Sequence, residues 1–308
     1  MKILIELPTW LGDTVMASPA IENILLKYPN AKLTLIGSKV SIEVLKSHPK
    51  VVKTIQLDKS LISLYKTSNK LEQYDFSIYF RSSMRSKILK FLVSSLHKYQ
   101  YDKRIYTGLH QVQKYNSFIC NSLGFTKEPK ELKLFNSKQN ARNSTLLVGI
   151  NPGASYGSAK RWESEKFAEV AYSLSSNYDI IIFGGPNEKE GALQIEKLLK
   201  RKGITNYSNL SGRTSIKDLI DHISRLDLFI TGDTGPMHIA ASFNIPTVSI
   251  FGPTKDKETS QWMNLKNIIV KKNLECQPCM ERTCPLGHHN CMKLIKPVDV
   301  LDAIKLLE

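Results

Sequence analysis

The chain has 308 residues, of which 42% are hydrophobic, and this length predicts two domains of about 150 residues with separate cores. No apolar run approaches the roughly 18 residues that a membrane-spanning helix needs. A net charge of +15, from 43 basic and 28 acidic residues, favours an acidic partner such as a phosphorylated substrate, an anionic membrane or a nucleic acid. Five cysteines in a chain of this size indicate a reducing cytoplasm and argue against a disulfide framework.

The first half alternates short apolar strands with stretches of helical periodicity. Strands are predicted at KILIEL, KLTLIGS, VVKTIQL and YDFSIYF, and a basic helix at residues 84–96. The opening MKILIELPTW is interrupted by Glu6 and Pro8 too early for a signal peptide, so we interpret it as a buried strand. Residues 136–145, NSKQNARNST, have the composition of a linker.

The same alternation resumes after the linker. Strands are predicted at TLLVGINPG, YDIIIFGGP, TNYSNLSG, DLFITGD and IPTVSIFGP, with helices between them. Such a series predicts βαβ units and parallel sheets, hence an α/β protein with two doubly wound domains. We place the domains at residues 1–140 and 146–308, and allow for the last helix packing back on the first domain.

Six loops that follow predicted strands are rich in Gly, Pro, Ser and Thr: PTWLGDT, NPGASYGSAKRW, FGGPNE, NLSGRTS, TGDTGPMH and FGPTKD. Ligands of open parallel sheets bind at these strand ends, where backbone N–H groups of helix N-termini can hold phosphate. Neither G-x-G-x-x-G nor the Walker loop is present, which favours other nucleotide users, notably sugar-nucleotide enzymes. An aspartic protease is excluded, because that chemistry needs two equivalent carboxylates in a largely β fold.

Two Gly-Asp-Thr sequences, at 12–14 and 232–234, each end an apolar run and open a helix. Asp13, Asp233 or Thr234 could simply be a helix N-cap. The alternative is a ligand site, in which the flanking glycines let a ligand approach the backbone. His238, one turn into the second helix, would lie on the side that faces the loop.

Lys160 ends a Gly- and Ser-rich loop just before a predicted helix. It is either surface decoration on a solvated loop or a cation that reaches the leaving phosphate of a nucleotide sugar. The segment 81–104 raises a similar choice, since it holds seven Lys or Arg and one acid, Asp102. It is either a solvated helical face or a docking surface for an anionic ligand.

Four late cysteines, Cys276, Cys279, Cys284 and Cys291, lie beside His288 and His289. Structural zinc typically uses two close pairs, and the second pair here is irregular because six residues separate its members. We therefore favour a reduced, compact loop, predict no metal, and keep zinc as the alternative. Cys120 is expected to be a small buried hydrophobic residue.

An ordered set of motifs in this chain resembles the family 9 glycosyltransferases, the bacterial lipopolysaccharide heptosyltransferases. The motifs are GDTVMASPAI, NPGA…AKRW, LSGRTS, GDTGPMHIA and FGPT, and CQPCMERTCPLGHHNCM is similar to the cysteine-rich segment of the branch that extends the inner core. The resemblance implies a GT-B fold, with two Rossmann-like domains that face each other across a cleft. It further implies inverting transfer without an essential metal or cofactor, and no Asp-x-Asp motif is present.

By this resemblance the donor is ADP-L-glycero-D-manno-heptose, bound by the C-terminal domain, and the acceptor is the first heptose of the inner core on keto-sugar–lipid A, bound by the N-terminal domain. Asp13 would be the catalytic base, and Lys160 would offset charge on the departing ADP. The donor-binding residues would be Asn151, Gly153, Ser155, Tyr156, Ser211, Gly212, Asp233, Thr234, Gly235 and His238. The acceptor-binding residues would be Gly12, Thr14, Arg81 and Arg85.

The net charge suits a cytoplasmic enzyme held electrostatically, and not by insertion, at the anionic inner leaflet. Three alternatives stay open. The first is transfer one step earlier, onto keto-sugar–lipid A, and the second is a GT-B transferase or epimerase with another nucleotide sugar. The third is a binding protein without chemistry, whereas a nucleic-acid protein is disfavoured by the lack of any recognition motif.

Overall fold

The structure is a computed structural model and describes residues 1–58, 60–136 and 145–307. The chain divides into two compact units, Met1–Ser137 and Lys138–Glu308. Residues 137–144 of the predicted linker lie outside the described part.

A five-stranded parallel sheet with the order β3-β2-β1-β4-β5 forms the centre of the first unit. Its strands are β1 (Lys2–Glu6), β2 (Lys32–Gly37), β3 (Val51–Gln56), β4 (Tyr74–Tyr79) and β5 (Ser95–Gln100). The helices are α1 (Leu11–Met16), α2 (Ser18–Lys27), α3 (Lys39–Leu45), α4 (Leu61–Ser68), α5 (Met84–Leu92) and α6 (Gln111–Leu123). The central β1 is apolar and fully buried at Ile3, Leu4 and Ile5, as expected of a strand covered on both faces.

The second unit has a six-stranded parallel sheet with the order β11-β10-β9-β6-β7-β8. Its strands are β6 (Leu146–Asn151), β7 (Tyr178–Ile182), β8 (Tyr207–Asn209), β9 (Leu228–Gly232), β10 (Thr247–Phe251) and β11 (Asn267–Lys271). The helices are α7 (Ser164–Leu174), α8 (Lys189–Arg201), α9 (Ile216–Ile223), α10 (Gly235–Ser242), α11 (Asp256–Thr259), α12 (Asn290–Lys293) and α13 (Pro297–Lys305). The predicted α/β class with parallel sheets is confirmed.

One expectation about a single element is wrong. The basic helix predicted for residues 84–96 ends at Leu92, because Val93 is extended and the chain continues into the edge strand β5. The last helix, α13, buries Val300 and Ile304 in the hydrophobic core of the second unit. In the described residues no helix is long and apolar enough to cross a membrane.

A buried carboxyl group ends the central strand of the first unit. Glu6 is only 1% exposed; the Ser86 hydroxyl donates to it, and the Arg81 guanidinium lies 3.4 Å from its second oxygen. Burial raises the pKa of Glu6 to about 7, although the Ser86 hydrogen bond and the Arg81 charge act in the opposite direction. The folded protein therefore keeps a proton at pH values where the unfolded chain has lost it.

We expect this proton to make the stability of the fold depend on pH. The contribution of Glu6 is present below its ordinary pKa and is lost as pH rises through about 7. From pH 5.5 to pH 8, the free energy of unfolding of the wild type should fall by about 2 kcal/mol more than that of Glu6→Gln. Urea denaturation at the two pH values measures this difference.

Glu72→Gln is the matched control, because the Lys2 ammonium lowers the pKa of Glu72 and keeps it ionised over this range. Its free energy of unfolding should fall between pH 5.5 and pH 8 by the same amount as that of the wild type. An equal effect of Glu6→Gln at pH 5.5 and pH 8 would contradict the raised pKa.

Candidate active site

The loop after β1 leads directly into α1 and carries the first Gly-Asp-Thr. Trp10 is the N-cap of α1, and Asp13 lies in the first helical turn. Asp13 is therefore not the N-cap that the alternative interpretation required. The partial positive charge at the N-terminus of a helix favours a carboxylate in this turn.

A tyrosine from a distant helix meets Asp13. The hydroxyl of Tyr115, on α6, donates to Asp13 Oδ1 over 3.5 Å, a long hydrogen bond. Burial, and next the charge of Asp13, raise the pKa of Tyr115 well above its ordinary value, so the phenol keeps its proton. Sequence analysis missed Tyr115, because nothing in the local pattern links two residues 102 positions apart.

The two neighbours of Asp13 differ in exposure. Gly12 is half-buried, whereas Thr14 is fully buried and its hydroxyl donates to the carbonyl oxygen of Trp10 over 2.9 Å. The Thr14 hydroxyl thus holds the loop, and the contact of Thr14 with the acceptor stays a prediction.

Arg81 and Arg85 follow β4, which pairs with β1, so both lie at the sheet edge from which the Asp13 loop leaves. Arg81 is paired with Glu6. Arg85 donates to the carbonyl oxygen of Asp58 and thereby ties α5 to the loop after β3.

In the second unit, an ion pair joins two motifs that are far apart in the sequence. Lys160, at the end of a 3-10 helix at Ser158–Lys160, places its Nζ 2.5 Å from Asp233 Oδ2. Thr254, from the FGPT motif, donates to the same carboxylate oxygen over 2.6 Å. Both charged side chains are largely buried, which keeps the pair in a medium where electrostatic interactions are strong.

The second Gly-Asp-Thr lies at the start of α10, where Thr234 is the N-cap. Its hydroxyl contacts Asn151 Nδ2 at 3.2 Å and Thr231 Oγ1 at 3.0 Å instead of capping the helix. The first-turn N–H groups, beginning with Gly235, are thus not capped by this side chain, and they offer a positive helix end to an anion. His238, one turn later, is buried, with 3% of its surface exposed.

A glutamate that sequence analysis missed fastens the neighbouring loops. Glu188 accepts from Ser155 Oγ over 3.0 Å and from the Gly185 amide over 2.7 Å. A Cβ on Gly153 would lie 2.3 Å from this carboxylate, so the glycine makes room for Glu188. The only feature of the sequence that pointed to Glu188 was its place at the end of the FGGPNE loop.

The LSGRTS loop is fixed in a similar way. Ser211 is buried, and its hydroxyl donates to Asn209 Oδ1 over 2.7 Å. Gly212 has a φ of +64°, a conformation that favours glycine, and its amide donates to Gly184 over 2.8 Å.

The cysteine-rich segment packs on the Lys160 loop and brings a second cation. Lys160 Nζ lies 4.8 Å, and Arg282 Cζ 5.3 Å, from the centre of the Tyr156 ring. The Ala159 amide donates to the Arg282 carbonyl oxygen over 3.0 Å, and a Cβ on Gly157 would lie 2.2 Å from that oxygen. Sequence analysis missed Arg282, which makes no ion pair within the described part of the chain.

All five cysteines are reduced. Burial, reinforced by the neighbouring Cys279, Cys284 and Cys276, raises the pKa of Cys291 to about 11, whereas the backbone N–H of His289 lowers that of Cys284. Over the described ranges, no three His, Cys, Asp or Glu side chains are arranged to hold a metal ion. The reduced loop stays a prediction, and zinc at the four late cysteines stays its alternative.

Known proteins are similar to this chain in sequence and in fold. The profile of glycosyltransferase family 9 (heptosyltransferase) matches residues 68–290. Lipooligosaccharide heptosyltransferase 2 of Campylobacter jejuni is 45% identical over 100% of this chain and 98% of that relative.

Two solved structures confirm the predicted GT-B class. E. coli ADP-heptose LPS heptosyltransferase II matches with a TM-score of 0.83 at 21% identity, over 100% of this chain and 98% of that chain. E. coli heptosyltransferase WaaC with ADP matches with a TM-score of 0.80 at 16% identity, over 100% of both chains. The resemblance seen in the ordered motifs is thus confirmed, and the chain belongs to glycosyltransferase family 9, the heptosyltransferases.

Proposed function

We propose that this glycosyltransferase moves heptose from ADP-L-glycero-D-manno-heptose to the first heptose of the lipopolysaccharide inner core, with inversion and without a metal. The observation that carries the proposal is the Lys160–Asp233 pair beside the uncapped start of α10. A lysine and a positive helix end together provide the charge that a diphosphate leaving group needs.

The donor diphosphate binds at the amides of Thr234 and Gly235. As the bond to the anomeric carbon breaks, negative charge grows on the ADP oxygen, and Lys160 stabilises it. Arg282 approaches the same phosphates, since the Tyr156 ring holds it near Lys160. Asp233 keeps Lys160 in place and accepts a hydrogen bond from the transferred sugar.

Asp13 acts as the general base in the first unit. The acceptor hydroxyl attacks the anomeric carbon from the face opposite ADP, its proton passes to Asp13, and ADP leaves. Tyr115 positions the carboxylate through its hydroxyl. Arg81 and Arg85 bind the acidic keto-sugars and phosphates of the acceptor.

The name of the relative that is 45% identical, heptosyltransferase 2, supports transfer onto a core that already carries one heptose. The lipid-anchored acceptor places the enzyme in the cytoplasm at the inner-membrane surface. The positive net charge favours that position.

We expect purified protein to release ADP from ADP-heptose only in the presence of a core with one heptose, and Asp13→Asn to slow this reaction by about 10²–10⁴-fold. The amide keeps the shape of the side chain but cannot take the proton. ADP release is measured with acceptors that carry no heptose and one heptose.

Asp302→Asn, an exposed acid on α13 that pairs with Lys305, is the matched control and should retain full activity. Release of ADP with the acceptor that carries no heptose would show that the enzyme adds the first heptose of the core, one step earlier than proposed. Release with neither acceptor by folded protein would contradict the proposed donor.

We also expect Arg282→Met to raise the KM for ADP-heptose by about tenfold with a smaller change in kcat, because a charge-assisted contact to phosphate is lost. Lys202→Met is the matched control, since Lys202 likewise lies over a tyrosine ring, 4.1 Å from the centre of Tyr172. Steady-state kinetics against donor concentration measure both variants. An unchanged KM in Arg282→Met would show that Arg282 does not contact the donor.

A further inference from the structure

Six large apolar side chains are exposed on one part of the first unit. They lie on α4, α5 and β5, and each is more than half exposed: Leu61, Ile62, Tyr65, Met84, Phe91 and Leu96. Phe91 is 83% exposed and Met84 is 72% exposed. We call these six residues the docking face. Single exposed apolar residues are common, but these six lie on elements that pack together, since α4 contacts α5 and α5 contacts β5. A group of exposed apolar side chains on neighbouring elements marks a binding surface.

The two helices present this face on the same side. Leu64 of α4 and Leu89 of α5 are buried in one hydrophobic cluster with Leu4 of the central strand. Both helices therefore cover the same face of the sheet, and their outer surfaces point away from it together. On α5, Met84 and Phe91 are seven residues apart, which is two helical turns, so they share one stripe.

The edge strand β5 adds Leu96 to the same side. Side chains alternate along a strand, so His97 and Tyr99 point one way and Leu96 and Lys98 the other. His97 and Tyr99 stack with Phe76, with ring centres 5.3 and 6.2 Å away. Lys98 points toward α5, where its Nζ donates to the carbonyl oxygen of Phe91 over 3.3 Å.

Positive charge surrounds the docking face. Lys66, Lys87, Lys90 and Lys98 belong to the same three elements, and the described residues of α4, α5 and β5 include no Asp or Glu. The acids nearest in sequence have partners of their own: Asp58 accepts from Ser63 over 2.9 Å, Glu72 pairs with Lys2, and Asp102 pairs with Arg104. The surface thus combines exposed aliphatic and aromatic groups with an excess of positive charge.

This combination fits an anionic lipid surface. Apolar side chains partition into the boundary between head groups and acyl chains, while lysines are attracted to anionic head groups, each by about 1 kcal/mol. A protein partner would have to supply an apolar surface and acidic groups together, whereas an anionic bilayer supplies both at once.

We infer that the docking face inserts its apolar side chains into an anionic membrane surface and thereby holds the first unit at the bilayer. This choice of occupant rests on the proposed function, whose acceptor is anchored in a lipid layer. The inference differs from the expectation of purely electrostatic attachment drawn from the sequence.

The test is sedimentation of the full-length protein with vesicles of phosphatidylcholine, with and without phosphatidylglycerol. Wild type should bind the anionic vesicles, and Ile62→Ser/Phe91→Ser should lower the partition coefficient by at least about tenfold. Because these side chains are largely exposed, the variant should melt at the wild-type temperature.

Leu265→Ser/Leu306→Ser is the matched control, since both leucines are highly exposed but lie in the second unit. It should bind like the wild type. The inference is overturned if wild type does not sediment with anionic vesicles, or if the docking-face variant binds as well as wild type. Analytical ultracentrifugation checks one rival occupant: a dimer that the variant abolishes, without vesicle binding, would assign the face to a second copy of the chain.

Heptose transfer to a deacylated, water-soluble acceptor separates this inference from the proposed function. The docking-face variant should keep wild-type transfer to this acceptor and lose it only on acceptor embedded in vesicles. If the wild type transfers heptose but binds vesicles no better than the variant, the proposed function stands and the membrane inference is overturned. If vesicle binding depends on the docking face but no heptose is transferred, the membrane inference stands and the proposed function is overturned.

Discussion

Parallel pairing requires every strand to be followed by a crossover that returns the chain to the other end of the sheet. All strands of one sheet therefore end at the same edge, and the loops after them are gathered there. In the first unit this constraint places the Asp13 loop, which follows β1, beside Arg81, which follows the adjacent β4. In the second unit it places Lys160, after β6, beside Asp233, after the adjacent β9.

The Lys160–Asp233 pair shows how such an edge becomes a charged site. A buried ion pair loses hydration, so it needs additional hydrogen bonds to be tolerated. Thr254 and the backbone carbonyl of Asp233 provide them, at 2.6 Å and 3.2 Å. The lysine is consequently fixed in position before any ligand arrives, which is the condition under which a charge stabilises a leaving group most effectively.

The cysteine-rich segment packs against the Lys160 loop and forms one wall of the candidate site. Its backbone bonds to Ala159, its Met280 carbonyl accepts from the Tyr156 hydroxyl over 2.6 Å, and the His289 ring donates to the Ala159 carbonyl over 2.8 Å. These three contacts explain why the Lys160 loop contains Gly157, at which a side chain would collide with the segment.

The docking face and the proposed catalytic edge have different origins in the fold. The docking face consists of the outer sides of α4 and α5, whose inner sides form the core with Leu64 and Leu89. The groups proposed to contact substrate lie at strand ends instead. The proposed membrane contact and the proposed catalytic base therefore use different residues of the same unit.

The alternation of apolar strands and helices determined the α/β class, and the ordered loop motifs determined the family, because both depend on short-range patterns. The same patterns located Asp13, Lys160 and Asp233 at strand ends. They did not reveal Tyr115 or Arg282, since both reach the site from segments about a hundred or more residues away in the sequence.

Tertiary structure alone decided which side chains act together and which merely support the loops. Thr14 and His238 matched a binding pattern in the sequence, and only the structure showed that both are buried. Phe91 lies in the predicted basic helix, and only the tertiary structure showed that it is exposed. The physical reason is that sequence periodicity fixes the direction of a side chain relative to its own element, whereas exposure depends on what the rest of the chain places against that element.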